Sequence, residues 1–302
     1  MHILITGGTG LIGRRLCKAL LAEGHELTVF SRKPETVALK CGAGVHAIGS
    51  LSEWRPSMAF DAVVNLAGEP IVDQRWTEKR KQVLWDSRIA LTEELVRRMS
   101  AAERKPTVLL SGSAIGYYGG RGDEVLDETS SAGTDFPARL CVGWETAASE
   151  AESLGVRVCL QRTGLVLSKE GGLLGRMLPP FRLGMGARVG DGRQWMSWIH
   201  IDDLIAAMLR LLRDGQMRGP YNVTSPQPVT NAEFTRTLAA ALRRPAPFVA
   251  PATLLRLSLG ESAGMLLEGQ RVLPKRLQAA QHRFAHPELA NALGDLLSDS
   301  HD

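Results

Sequence analysis

The first residues in this chain whose type and spacing could do chemistry are glycines. Ile3-Leu4-Ile5-Thr6-Gly7-Gly8-Thr9-Gly10-Leu11-Ile12-Gly13 sets Gly7, Gly10 and Gly13 three apart, between a β-branched run and a helical pattern. A glycine at the first position permits a tight strand-to-helix turn. One at the second lets the backbone approach a pyrophosphate, and one at the third lets helix and strand pack closely. The bound phosphates would then face unpaired N–H groups at the positive end of the helix dipole. Alone, the pattern also fits a tight loop that binds nothing; at the first βα junction of a βαβ unit it reads as a dinucleotide loop.

A second group of residues bears on which dinucleotide. An acid at the end of the second strand would hold the 2′-hydroxyl of NAD, whereas basic residues would accommodate the 2′-phosphate of NADP. The chain reads Phe30-Ser31-Arg32-Lys33 there, with no acid until Glu35. Ser31 can donate one hydrogen bond to a phosphate, and Arg32 offers a planar fork of donors. The alternative is a solvated basic turn. The reading taken is NADP(H).

The elements that must position these groups alternate. Strand-like runs lie at His2–Thr6, Glu26–Ser31, Val45–Ile48, Ala62–Leu66, Thr107–Ser111 and Val156–Arg162. Helical windows lie between them, clearest at Ile12–Ala22, Arg88–Ala102 and Pro137–Leu154. In the first window Ile12, Leu16, Ala19 and Leu20 share one face. Alternation of this kind predicts an α/β fold built on a parallel sheet covered on both sides. The pattern changes after Leu167: Gly171–Gly192 reads as glycine-rich and irregular. Trp195–Ile201 follows as a strand, then a helix near Asp203–Arg213, a strand at Tyr221–Val223 and a helix at Asn231–Leu242. Pro245–Pro251 reads as a proline-broken connection. The division expected is a nucleotide-binding domain over 1–167, to which some later segments return, substrate-lobe segments over 168–248 and a C-terminal helical segment over 249–297.

Composition narrows the function classes. The 302 residues are 44% hydrophobic and 23% charged with a formal net charge of +4, and the basic residues are interspersed with acids. A nucleic-acid footprint needs a concentrated basic face, so none is expected. No apolar stretch approaches a membrane span, so no membrane partner is expected. The four cysteines, Cys17, Cys41, Cys141 and Cys159, show no metal-ligand spacing and read as free thiols of a reducing compartment. A cytoplasmic protein with a small-molecule substrate and no metal is the expectation.

With TGGTGLIG, Asn65-Leu66-Ala67-Gly68 and Ser111-Gly112-Ser113, the chain resembles the extended short-chain dehydrogenase/reductase superfamily. The likeness continues through Arg162-Thr163-Gly164-Leu165-Val166-Leu167, Gly190-Asp191-Gly192, Ile201-Asp202-Asp203 and Tyr221-Asn222-Val223. RWTEKRKQVLWDSR, MLPPFRLGMG, WIHIDDL and EGQRVLPKRL resemble its "epimerase family protein" branch, whose members carry an extra C-terminal helical segment. The resemblance implies an NADP-binding Rossmann fold. It puts Gly7, Gly10, Leu11 and Ile12 on the pyrophosphate, Ser31 and Arg32 on the adenosine phosphate, and Leu66, Ala67, Gly68 and Arg88 along the cofactor. Thr163, Gly164, Leu165 and Val166 would lie beside the nicotinamide. It also implies a homodimer through the helices near Arg88–Ala102 and Pro137–Leu154, and a C-terminal segment packed on the substrate lobe.

Catalysis does not carry over. Ordinary members pair a serine after the fifth strand with Tyr-x-x-x-Lys on the next helix, where the lysine lowers the tyrosine pKa. Ser113 fills the serine position, but the helix reads Leu140-Cys141-Val142-Gly143-Trp144-Glu145, which aligns Cys141 with the tyrosine and Glu145 with the lysine. The chain has only three tyrosines, Tyr117, Tyr118 and Tyr221, and none is followed four residues later by lysine. Four substitutes stand open as proton donor: Tyr117, Tyr118, Cys141 paired with Glu145, and His200. For Cys141 with Glu145 the alternative is a buried cysteine and a solvated glutamate, and for His200 it is a structural strand-to-helix junction in which Asp202 or Asp203 caps the helix. The substrate lobe has Met196 where sugar-nucleotide epimerases have an arginine, with Trp195 and Trp198 beside it. That predicts an aromatic pocket and not a cationic one, unless Arg176, Arg182 or Arg188 compensates, and leaves Met177–Phe181 open as a lid or substrate wall or as an ordinary core-facing segment. The function read is an NADP(H)-dependent oxidoreductase or epimerase of atypical active site. The alternative is a non-catalytic NADP(H)-binding sensor or scaffold.

Overall fold

In the computed structural model, residues 1–72 and 74–298 are described. The chain begins β1 (His2–Thr6), α1 (Leu11–Ala22), β2 (Glu26–Phe30), α2 (Val37–Cys41), β3 (His46–Ile48), β4 (Ala62–Asn65), α3 (Glu78–Asp86) and α4 (Ile89–Ala101). It continues β5 (Val108–Ala114), β6 (Val125–Leu126), α5 (Phe136–Ser149), β7 (Arg157–Thr163), β8 (Leu165–Ser168), α6 (Gly172–Arg182) and β9 (Ala187–Val189). Next come β10 (Trp195–Met196), β11 (Trp198–His200), α7 (Ile201–Arg213), β12 (Gly219–Val223), β13 (Val229–Thr230) and α8 (Asn231–Ala241). The chain ends β14 (Phe248–Ala250), α9 (Ala252–Leu259), α10 (Gly264–Leu267), β15 (Arg271–Val272), α11 (Lys275–Ala279) and α12 (Leu289–Leu297).

Seven strands form one sheet in the order β12-β7-β5-β4-β1-β2-β3. All its pairings are parallel. The central strands are buried on both faces: Ile3, Leu4, Ile5, Ala62, Val63, Val64, Leu109 and Leu110 are all fully enclosed. This is why they read as continuous apolar runs and not as alternating ones. One layer packs Leu16, Cys17 and Leu20 of α1 and Leu204, Met208 and Leu211 of α7 on the sheet. The other layer packs Leu95 and Met99 of α4 and Ala148 of α5 with Trp54 and Phe60. Strand order reverses beside β1, so the carboxyl ends of β1 and β4 flank the crevice where doubly wound sheets bind ligands.

The structure departs from the sequence reading in three places. Gly171–Gly192 is not irregular throughout, since α6 occupies Gly172–Arg182 with Pro179 and Pro180 in its last turns. Leu174, Leu178 and Phe181, spaced four and three apart, enter the main core and outweigh the glycines and prolines. The same burial makes the apolar run a core-facing segment and not a lid. The proline-broken connection contains β14, paired parallel with β9. The C-terminal segment does more than pack on the lobe: β15 pairs parallel with β6, and α12 lies against α8.

Candidate functional site

The nucleotide end of the site follows from what a side chain would strike. Gly7 has φ +70°, and a Cβ there would lie 2.6 Å from the backbone of Leu66. A Cβ on Gly13 would fall 2.3 Å from the Gly7 carbonyl oxygen and 2.6 Å from Gly8 Cα, so α1 sits against the loop only because residue 13 has no side chain. At Gly10 the one protein atom within reach of a Cβ is the Gly7 carbonyl oxygen at 3.3 Å. Gly10 is also the N-cap of α1, and no side chain caps that end. An uncapped helix start beside a side-chain-free cradle suits the pyrophosphate of a dinucleotide. Leu66 and Ala67 adjoin the loop from the end of β4, where Thr6 Oγ1 accepts from the Ala67 N–H at 3.1 Å.

Arg32 is largely exposed at the end of β2, and its guanidinium donates to Glu69 Oε1 at 2.7 Å. Ser31 Oγ accepts from the Lys33 N–H. Arg88 rests against Gly68, and its donors go to the carbonyls of Glu69 and Leu84 and to Ser87 Oγ. Burial lowers its pKa from the ordinary value. Arg88 therefore braces the loop that carries Leu66, Ala67 and Gly68.

The other half of the site lies at the carboxyl ends of β5 and β7, where Ser113 is paired with Arg162 and Ala114 with Thr163. Ser113 Oγ donates to Glu145 Oε1 at 2.7 Å. Arg162 grips the same carboxylate with both arms, Nε to Oε1 and Nη2 to Oε2, each at 2.8 Å. Its remaining arm, Nη1, donates to Tyr118 Oη at 3.0 Å, and Tyr118 donates in turn to Asn222 Oδ1 at 2.6 Å. The Arg162 guanidinium also lies 3.5 Å from the ring centre of Tyr117. Burial opposes the Arg162 charge, but the Glu145 carboxylate outweighs it and raises the guanidinium above its ordinary pKa. Glu145 is thus not a solvated helix residue: it is buried, and a cation neutralises it. The sequence reading did not find Arg162 or Asn222 as members of this cluster. A charged residue inside the buried run VCLQRT was the available signal, because such a charge requires a partner.

The four proposed proton donors separate by environment. Tyr118 is fully buried with its hydroxyl engaged on both sides, and burial pushes the phenol up to about 12. Tyr117 is half-buried, and no described residue hydrogen-bonds its hydroxyl. Cys141 is buried one turn before Glu145, and burial together with that carboxylate raises its thiol to about 11. His200 lies elsewhere: its Nδ1 accepts from the Asp202 N–H, so His200 is the N-cap of α7, stacked 3.9 Å from His286. Neither aspartate caps that helix. Asp202 pairs with Arg15, and Asp203 accepts from the N–H groups of Ala285 and His286.

The loop Thr163–Val166 is clamped at the same sheet end. Gly164 N donates to the Val223 carbonyl and Leu165 N to the Ser197 carbonyl. In the substrate lobe, Trp198 is a core residue, fully buried with its Nε1 on the Gln227 carbonyl. Trp195 is half-buried; its Nε1 donates to Asp123 at 2.7 Å, and the Arg271 guanidinium lies 4.4 Å from its ring centre. The aromatic patch is therefore one tryptophan with a cation on it, supplied by the C-terminal segment.

A profile of the NAD dependent epimerase/dehydratase family matches residues 3–224. The chain belongs to that family. A second profile, a domain of unknown function (DUF1731), matches residues 250–296 of this epimerase-family chain. An epimerase family protein of Mycobacterium bovis is 44% identical over 296 residues, covering 97% of this chain and 96% of that protein. The Arabidopsis thaliana chloroplastic homologue of epimerase family protein SDR39U1 is 40% identical over 300 residues, covering 97% of this chain and 86% of its own. The crystal structure of human epimerase family protein SDR39U1 (isoform 2) with NADPH superposes with a TM-score of 0.89 at 35% identity, covering 99% of this chain and 100% of that one. UDP-glucuronic acid 4-epimerase from Bacillus cereus, at 16% identity and a TM-score of 0.76, shares the fold.

Proposed function

We propose that this epimerase-family protein is an NADP(H)-dependent oxidoreductase or epimerase acting on a small, partly apolar carbonyl or hydroxyl compound. The observation that carries the reading is the pairing of an uncapped glycine loop at the end of β1 with an ordered Ser113–Glu145–Arg162 cluster at the ends of β5 and β7. Ser31 and Arg32 support the 2′-phosphate, with Arg32 exchanging its Glu69 partner for it. Bound there, the nicotinamide would supply or accept a hydride. Ser113 holds the substrate oxygen. Tyr117 exchanges the proton, since its hydroxyl has no partner among the described residues, while Arg162 on its ring face fixes the ring.

Titration of the cofactor fluorescence tests the binding half: NADPH binds more tightly than NADH, and Arg32→Glu abolishes the preference. A preference that survives the substitution overturns the cofactor assignment. Single-turnover oxidation of bound NADPH across a panel of carbonyl compounds tests the chemistry. Tight binding with no oxidation across the panel favours the second reading, a sensor or scaffold. The commitment of Tyr118 and Glu145 to internal partners is the observation on that side.

A further inference from the structure

The hydrogen-bond chain behind Ser113 has a direction, and its far end lies in the C-terminal segment. Asn222 Nδ2 donates to the Leu273 carbonyl at 3.0 Å. A carbonyl can only accept, so the edge of the amide facing Leu273 is NH2 and the edge facing Tyr118 is oxygen. Tyr118 must then spend its single proton on Asn222 Oδ1. Its oxygen is left to accept from Arg162 Nη1, which can only donate. Nε and Nη2 of the same guanidinium hold Glu145, and because a carboxylate only accepts, Glu145 Oε1 receives the Ser113 proton whichever way Asn222 faces.

The segment is itself anchored. Glu128 accepts from the backbone N–H of Asn222 at 3.0 Å and from that of Arg276 at 3.2 Å. Ser197 Oγ donates to the Gln270 carbonyl and accepts from the Val272 N–H. Leu273 is therefore held between two bound neighbours, and its carbonyl cannot turn from Asn222 without breaking them.

We propose that Glu145 sets the polarity of the site: an acceptor-only carboxylate held by Arg162 takes the Ser113 proton, so that Ser113 offers only lone pairs to its ligand, while Leu273 of the C-terminal segment orients Asn222, a positioning residue, toward Tyr118. The partner of Ser113 is then a group that carries hydrogen, a hydroxyl or an N–H, and not a bare carbonyl oxygen. This rests on the reading of Ser113 as the substrate contact, and it gives the matched domain at 250–296 a role in the site. Ser113 stabilises the hydroxyl side of the reaction, and the proton that makes a carbonyl into that hydroxyl comes from elsewhere, from Tyr117.

The test uses the full chain and no substrate. With only three tyrosines, Cζ-labelled tyrosine gives a separate NMR titration for each. In Asn222→Leu the neutral phenol loses its acceptor while Arg162 still favours the phenolate, so Tyr118 ionises about one pH unit lower, tenfold in its constant. Asn222→Asp keeps an acceptor, adds a negative charge beside the phenol and moves Tyr118 up, opposite to Asn222→Leu. Tyr117 and Tyr221 are internal controls. A rise in Asn222→Leu overturns the proposal, because it means the amide NH2 faces Tyr118. If Asn222→Leu does not fold, neutron diffraction on the deuterated wild-type protein decides. Deuterons on Tyr118 aimed at Asn222 and on Ser113 aimed at Glu145 support the proposal, and either one aimed elsewhere defeats it. None of these readouts depends on NADPH, so failure here is distinct from failure of the proposed function.

Discussion

Replacing Arg162 by Met should be among the most damaging single changes outside the apolar core. The guanidinium and the Glu145 carboxylate have side chains only 4% and 10% exposed and make two bonds of 2.8 Å. Removing the cation leaves a buried carboxylate with Ser113 as its one remaining side-chain partner among the described residues, and strips a donor from Tyr118. Breaking a buried pair from one side costs about 3–5 kcal/mol. At roughly 2–4 °C per kcal/mol for a large domain, that lowers Tm by about 6–20 °C. Glu145→Leu, which leaves the buried cation without its carboxylate, falls in the same range. The double variant Glu145→Leu/Arg162→Met buries no unpaired charge and recovers at least half of the summed loss, because an apolar pair of similar volume often replaces a buried ion pair at little cost. Equilibrium urea unfolding and calorimetry on the four proteins complete the cycle. Single losses below about 1 kcal/mol, or a double variant equal to the sum of the singles, would refute the account of a desolvated, mutually dependent pair.

Gly13→Ala places a methyl 2.3 Å from the Gly7 carbonyl oxygen, so α1 must back away from the loop. The expected outcome is a loss of roughly 1–3 kcal/mol in stability and at least tenfold weaker NADPH binding by fluorescence titration, where unchanged binding counts against the cradle. Stability should also fall on acidification. Burial holds His200 and His282 below the ordinary histidine range, so the unfolded chain takes up their protons first as pH drops through about 6.5. Their contribution is complete above that pH and declines below it. Tm measured at pH 7.5 and 5.5 should therefore drop, and less so in His200→Asn, which keeps an N-cap acceptor; equal drops in both proteins would discount His200. All four thiols are buried, and burial raises each pKa. A disulfide reagent at pH 8 should find none of them within minutes in the folded protein and all four in urea.

The nucleotide half of the site was legible in the sequence because its logic is local. Glycine spacing, a β-branched run before it and the start of a helix after it lie within thirteen residues, and the structure gives Gly7 and Gly13 contacts that a side chain would block. The same holds for the central strands, whose apolar runs fix them as doubly covered. The relay was not legible, because its members come from β5, the turn after it, α5, β7 and β12. Periodicity shows that Arg162 lies in a buried strand but not which helix face it meets. Glu145 read as a solvated misfit only while its cation, seventeen positions onward, was unplaced. His200 misled in the opposite way: a histidine beside two aspartates suggested chemistry or carboxylate capping, whereas the imidazole itself caps α7 and the aspartates bind other elements.

The clamp formed by Glu128 has a temporal consequence. Its two backbone donors sit on β12 and α11, and Arg276 lies 148 positions along the chain from it. On the ribosome, the glycine loop and the strands beside it have emerged and can pair long before Arg276 is synthesised. The Tyr118–Asn222 bond must wait for Leu273 to fix the amide until nearly the whole polypeptide is out. A product terminated ahead of β15 would carry the glycine loop and its strands beside a Tyr118 whose proton has no fixed acceptor.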